Sequence, residues 1–300
     1  MQELAPIVLF VYNRPWHTQQ TVEALLKNNL ANESRLFIFA DGPKNDSDRI
    51  KTNKVRKYID GISGFKKIQI IKRSKNVGLA ESVISGVSKI ISEYKRIIVL
   101  EDDIVVSQYF LNFMNDALNF YENNKLIFSI SGYSYPIDIL PGYDLDIYFS
   151  KRSSSWGWAT WKDRWDKAVW SDDKFDKFLH CKSMQQNFNM AGEDLSPMLV
   201  KQIKGKLNSW AIRWAFTHFI NSAYCIYPVK SMAKNIGTDG SGTNFRLKTS
   251  RYKVRLDISH RIINFSNSVR INEDIEKNIR RIVRPGFFTS ILNRIKFLFS

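Results

Sequence analysis

The chain predicts an α/β fold built on a doubly wound, mostly parallel sheet, and three observations carry that expectation. Short apolar runs alternate four times with segments whose apolar residues recur at helical spacing. The first run is apolar throughout rather than at every second position, as a strand covered on both faces would be. Polar and charged residues gather directly after the runs, and ligands of such sheets bind beyond the C-terminal strand ends.

Pro6–Tyr12 is the first run and passes into Asn13-Arg14-Pro15. Thr18–Leu30 places Val22, Leu25, Leu26 and Leu30 on one helical face, and Arg35–Ala40 is a second strand ending in Asp41-Gly42-Pro43. A helix over Val55–Ile62, a strand over Lys67–Lys72, a helix over Leu79–Tyr94 and a strand over Arg96–Leu100 follow. The pattern then loosens into Trp-, Ser- and Gly-rich stretches, with helices expected at Gln108–Tyr121, Ser196–Lys204 and Trp210–Asn221. From about Ser250 basic residues mix with short apolar groups without a core pattern, so residues 250–300 read as a basic appendage. Arg284-Pro285 breaks it before an amphipathic piece over 286–300, expected to be a membrane-surface helix.

Three hundred residues with 44% hydrophobic content suffice for a large core and exclude disordered and collagen-like chains. Lys and Arg outnumber Asp and Glu by 45 to 29, and the net charge of +16 favours polyanions, phosphorylated small molecules or an anionic membrane surface as partners. Cys181 and Cys225 form neither a disulfide framework nor a metal-ligand spacing, which points to a reducing compartment. The apolar run Ala5–Val11 is too short for a signal peptide, and no window reaches the roughly 18 apolar residues of a spanning helix.

Glu101-Asp102-Asp103 follows the fourth strand, so carboxylates that repel one another crowd one strand end. A hard divalent cation bridging to a diphosphate would offset the repulsion; the bland alternative is a helix cap with solvated acids. Asn235–Phe245 sets Gly237, Gly240 and Gly242 among Thr238, Ser241 and Thr243, a composition suited to a lid over a ligand, or to an ordinary surface loop. It lacks the Gly-Lys-Ser/Thr ending of a P-loop. Trp156, Trp158, Trp161, Trp165 and Trp170 are dense enough to offer a platform for a sugar ring, although core packing accounts for most tryptophans. His180 and His218 lack partners at metal spacing and read as structural.

Taken together, the run from Pro6 to Arg14, Asp41, the helix before the acids and Val99-Leu-Glu-Asp-Asp103 resemble the GT-A fold glycosyltransferases. Leu100–Asp103 with Ser107–Phe110, Trp156-Gly157-Trp158 and Asn235–Gly242 resemble the N-acetylglucosaminyltransferase I branch, and Asn76–Leu79 is more weakly similar to bacterial family-2 sugar transferases. The resemblance covers roughly residues 5–246 and rests on motif order. It implies a metal at Asp103, the nucleotide's ribose side at Asp102 and Glu101, the uracil edge at Asp41 and the diphosphate near Asn13 and Arg14; the bland alternatives are an Asp41 that starts the Asp-Gly-Pro turn and a solvated Arg14. It also implies a donor-covering loop at Gly240 and Ser241, and sugar contacts at Trp156 and Trp158. At the position of the family's catalytic base stands Asn208, in Asn208-Ser209-Trp210, where the branch has Asp-Asp-Trp. Asparagine cannot be a general base. Asp194 of Gly192-Glu193-Asp194 supplying the base, a retaining reaction and an inactive chain are the three accounts, the first favoured, with an N-cap role as Asp194's bland alternative.

The sequence therefore predicts a GT-A domain over 1–249, with a nucleotide-binding half at about 1–105 and an acceptor half at about 106–249. The expected activity is an inverting, Mn²⁺- or Mg²⁺-dependent transfer from a nucleotide sugar, such as UDP-GlcNAc, to a saccharide acceptor. A lipid-linked acceptor in bacterial surface polysaccharide synthesis is expected, at the inner face of the plasma membrane. Nucleic acid is not an expected partner, since no reader motif appears; a nucleic-acid or polyanion binding module and a catalytically inactive nucleotide-sugar-binding homologue are the alternatives.

Overall fold

The computed structural model describes residues 3–139, 142–171, 173–240, 249–260 and 262–284. β1 (Ile7–Val11) is five buried apolar residues, and Pro15 starts α1 (Pro15–Leu26) directly behind it, with Arg14 as N-cap. Proline's fixed φ and missing N–H suit that first helical position. β2 (Arg35–Ala40), α2 (Asp46–Asp60), β3 (Lys67–Lys72), α3 (Leu79–Tyr94) and β4 (Arg96–Glu101) complete the alternation. Helix α2 begins at Asp46 rather than Val55, because only Thr52, Val55 and Ile59 are buried and its first turns carry no apolar period. Its start is instead marked by Asn45, whose side chain accepts from the Asp48 N–H at 2.9 Å.

The second half supplies β5 (Ile104–Val106), α4 (Phe110–Phe120), β6 (Ile127–Ser131), β7 (Ile147–Ser150), β8 (Trp158–Trp161) and α5 (Lys162–Trp165). It continues with α6 (Lys174–His180), α7 (Lys182–Asn189), α8 (Leu195–Ile203), α9 (Trp210–Ile220), β9 (Tyr224–Pro228), β10 (Ala233–Asn235) and α10 (Glu273–Val283). Eight strands form one sheet in the order β3-β2-β1-β4-β8-β6-β9-β7. The first four are parallel; β8 runs against both β4 and β6, β9 runs with β6, and β7 runs against β9. The sheet is thus mostly parallel, as expected, with β8 and β7 as its two reversed strands.

Alternate side chains of each strand serve opposite layers. Ile7, Leu9, Leu36, Ile38, Ile98 and Leu100 join Val22, Val55, Phe113 and Ile275 in one cluster. Val8, Phe10, Phe37, Phe39, Ile97 and Val99 join Val83, Val87 and Trp214 in the other. A third cluster, including Phe178, Phe188, Leu199 and Phe216, holds α6, α7, α8 and α9 together.

Two expectations are revised by this packing. Trp158 has no exposed surface and stacks on Trp210 at 5.0 Å between centroids, so its ring has no free face for a sugar; it is a core residue. Residues 250–284 are not a loose appendage. Asp257 N–H donates to the Ser231 carbonyl at 2.8 Å, Ile271 bridges Phe149 in parallel, and Ile275, Ile279 and Val283 of α10 are buried in the first cluster. Among the described residues no helix is long and apolar enough to cross a membrane. The surface helix expected over 286–300 lies outside the described residues.

Candidate functional site

Parallel pairing of β1 with β4 brings the ends of the two strands side by side, and with them Arg14 and the acids. The Arg14 guanidinium donates to Asp102 Oδ1 and, at 2.8 Å, to Asp103 Oδ2. The paired carboxylates hold the Arg14 proton more firmly than in water, against the opposing effect of burial. Burial pushes the Asp102 carboxyl up while Arg14 pulls it down. Glu101, which accepts from Trp210 Nε1–H at 3.3 Å, is held well above the usual carboxylate range by burial and then by the charges of Asp103 and Asp102. Asp102 and Asp103 thus share one guanidinium with the Glu101 carboxyl alongside, and a second positive group would be favoured among them.

The loop after β10 closes over these groups. β10 pairs antiparallel with β5, Asn235 opposite Ile104, and Ile236 N–H donates to the Asp103 carbonyl at 2.9 Å. At Gly237 a Cβ would stand 2.1 Å from Asp103 Oδ2 and 2.8 Å from Arg14 Nη1, so the missing side chain is what lets backbone and acids approach as they do. His17, one turn along α1 from Arg14, meets Asp239 through Nε2 at 3.0 Å. Gly240 ends the turn with φ of 94°, and Thr249 N–H donates to the Thr238 carbonyl at 3.0 Å, closing the base of the loop. Ser241 lies outside the described residues.

A divalent cation fits this donor set only with help from a ligand. Among the described residues no group of three or more His, Cys, Asp or Glu side chains is arranged to hold a metal. Asp103 Oδ1, however, is buried without a hydrogen-bond partner. Mg²⁺ and Mn²⁺ are commonly held by one or two carboxylates and by the phosphates of a bound substrate, which is what this orphaned oxygen offers.

The other candidate residues stand in three different settings. Asn13 donates to Asp48 Oδ1 at 2.9 Å, and Asp48 Oδ2 accepts from the Tyr12 hydroxyl at 2.7 Å, tying the β1 end to α2. Asp41 accepts from the Gly42, Val77 and Gly78 N–H groups and from Asn76 Nδ2, at 2.9–3.1 Å. Both oxygens are engaged by its own chain, clasping the β2 end to the start of α3. Trp156 is half-buried, 4.5 Å from the Tyr133 ring and 5.5 Å from Tyr252, and its neighbour Gly157 packs near Ile104 and Ala233 of the β5–β10 ladder.

Asp194 caps no helix with its side chain. It takes both Arg152 guanidinium nitrogens, at 2.9 and 2.7 Å, and Arg152 Nε–H donates to the Tyr135 hydroxyl at 3.1 Å. Asn208 is exposed, with Oδ1 3.5 Å from Arg213 Nη2, while its neighbour Ser209 caps α9. His17, Arg152, Gly237 and Trp210 are the site residues that sequence reading passed over or left without a role. His17 follows Arg14 at the i, i+3 spacing of one helix face, a usable signal; the Arg152–Asp194 pair spans 42 positions and leaves none.

No family model and no curated protein matches this chain. Among solved structures it is similar to the mannosyltransferase PcManGT from Pyrobaculum calidifontis, in complex with GDP-Man and Mn²⁺, at 8% identity and a TM-score of 0.39 over 74% of each chain. It is also similar to S. aureus TarS, at 10% identity and a TM-score of 0.38, over 76% of this chain and 36% of TarS. Likenesses this loose leave the chemistry to the chain's own residues.

Proposed function

We propose that this protein is a metal-assisted glycosyltransferase that moves a sugar from a nucleotide donor to a saccharide acceptor. One observation carries the reading: Arg14, Glu101, Asp102 and Asp103 converge at adjacent parallel strand ends beneath a glycine backbone, with Asp103 Oδ1 buried and unpartnered. Asp103 would hold the cation together with the donor's diphosphate; when bound, the cation neutralises charge on the departing nucleoside diphosphate. Arg14, permanently charged and planar, suits phosphate oxygens and is positioned by the acids until a diphosphate offers itself. Gly237 and Gly240 bring backbone within reach of that diphosphate.

Asp194 is the base of this reading, taking the acceptor hydroxyl's proton with inversion, and Trp156 is its sugar platform. The donor is a UDP-sugar such as UDP-GlcNAc, by the resemblance of Glu101–Asp103 and Trp156–Trp158 to the N-acetylglucosaminyltransferase I branch. A lipid-linked acceptor in bacterial polysaccharide synthesis, with the enzyme peripheral on the inner membrane face, agrees with the +16 charge. A second reading, an inactive nucleotide-sugar-binding homologue, is favoured by Asp194 being clamped by Arg152 and by Asn208 at the family's base position.

Thermal shift with nucleoside diphosphates and nucleotide sugars in Mn²⁺, Mg²⁺ or EDTA tests the donor site. Metal-dependent stabilisation by one nucleotide, lost in Asp103→Ala, is expected; no stabilisation by any nucleotide defeats the reading. Asp194→Ala should keep the stabilisation and abolish transfer, whereas a wild-type chain that binds but never transfers or hydrolyses a donor is the inactive homologue.

A further inference from the structure

A cavity of about 490 Å³ opens beside the Arg152–Asp194 pair. Tyr135 forms part of its wall, and the same Tyr135 hydroxyl accepts from Arg152. Ser231 lies on the wall too, with its hydroxyl accepting from the Ser134 N–H at 2.8 Å. Lys230, Lys253 and Arg255 line the rim, all exposed, and none is ion-paired with a described residue. The one carboxylate in the lining, Asp257, is buried and accepts from Ser259 N–H at 3.0 Å and from the Ser259 hydroxyl at 2.5 Å.

Ser231 on the cavity wall and Ile236 beside Asp103 bracket β10. Ser231 is five residues from Ile236, whose N–H meets the Asp103 carbonyl, and five extended residues span at most about 17 Å. Three cations with no ion-pair partner among the described residues outnumber the lining's one carboxylate, Asp257, and a net positive concavity draws anions to it. Ser231 and Tyr135 offer a sugar hydroxyls and a ring, and the three positive charges add a place for an anionic group on it. Lysine and arginine at this density suit phosphate oxygens, and the volume suits a small ligand rather than a nucleic-acid helix.

We infer that the Lys230–Lys253–Arg255 cavity is an acceptor subsite for a phosphate group, which makes the acceptor a phosphorylated saccharide. The inference rests on the glycosyltransferase reading of the Glu101–Asp103 site for its word "acceptor", while the phosphate site itself is read independently. Calorimetry on the full chain compares a hexose 1-phosphate with the methyl hexoside, with and without nucleoside diphosphate and Mn²⁺. The combined variant Lys230→Gln, Lys253→Gln, Arg255→Gln should bind the hexose phosphate at least tenfold more weakly, with nucleoside diphosphate affinity and melting temperature unchanged. Arginine at both lysine positions, with Arg255 kept, should restore it.

A phosphate inside a saccharide chain and one on a lipid carrier offer the same group. A soluble hexose phosphodiester and vesicles carrying polyprenyl phosphate separate them, and weaker binding of either by the glutamine variant supports the subsite. Equal hexose phosphate, phosphodiester and polyprenyl phosphate affinities in wild type and glutamine variant overturn it. So does a variant that loses only plain phosphatidylglycerol vesicles, since its cations then serve a lipid surface. Failure of the donor reading would show separately, as a wild type that binds hexose phosphate but no nucleoside diphosphate.

Discussion

Gly237 is the residue on which the acidic site most narrowly depends. A methyl group there would stand 2.1 Å from Asp103 Oδ2 and 2.8 Å from Arg14 Nη1, so the paired side chains would have to shift to admit it. Gly237→Ala is therefore expected to lift the turn off the acids and weaken metal-dependent nucleoside diphosphate binding at least tenfold by calorimetry. Arg152 and Asp194 make the complementary case, an ion pair whose side chains are only 13% and 20% exposed. Removing one partner leaves a shielded charge alone, so Arg152→Met should cost about 3 kcal/mol in urea unfolding. The double variant Arg152→Met, Asp194→Leu should recover part of that loss, because an apolar pair carries no desolvation cost.

At the scale of elements, α9 contains a pH-sensitive component. His218 is fully buried, its Nδ1–H donating to the Trp214 carbonyl and its Nε2 2.8 Å from the Ser129 hydroxyl. Burial holds the imidazole down, at about 4 against an ordinary 6.5. A depressed folded-state value means the contribution to stability is complete above pH 6.5 and is lost as pH falls through about 4. Between pH 7 and pH 5 the chain should lose about 2 kcal/mol from this group, and His218→Gln should flatten that part of the urea-midpoint profile. The elements themselves differ in how plainly they are written. β1, β2 and β4 could be read directly because each is a nearly unbroken apolar run with a polar end, and β3 because its isoleucines stand between two helices. β8 could not: Trp158-Ala-Thr-Trp161 resembles a platform as much as a strand, and its reversed direction depends on slots left by β4 and β6. Arg14 and the acids were legible because strand ends announce themselves, whereas Arg152 meets Asp194 through tertiary packing alone.

The whole molecule is stabilised from both faces of the sheet, and its C-terminal residues take part. Ile275, Ile279 and Val283 stand at i, i+4 and i+8 on α10 and enter the first cluster. That spacing was present in the sequence but hidden among charged neighbours such as Glu273, Asp274 and Arg280. Each buried aliphatic contributes roughly 1.5–3 kcal/mol, against a typical net stability of about 5–15 kcal/mol. A chain ending at residue 249 should therefore melt earlier than the full chain by calorimetry and bind an apolar dye.

The placement of α10 also sets a timetable for synthesis. Every strand of the main sheet has left the ribosome by Pro228, yet the helix that finishes one of its faces does not follow until Glu273. During that interval the nascent chain carries a nearly complete sheet with one face still short of Ile275, Ile279 and Val283. Chaperone demand should peak in this window, and a slow codon placed between β10 and α10 would prolong exposure rather than assist folding.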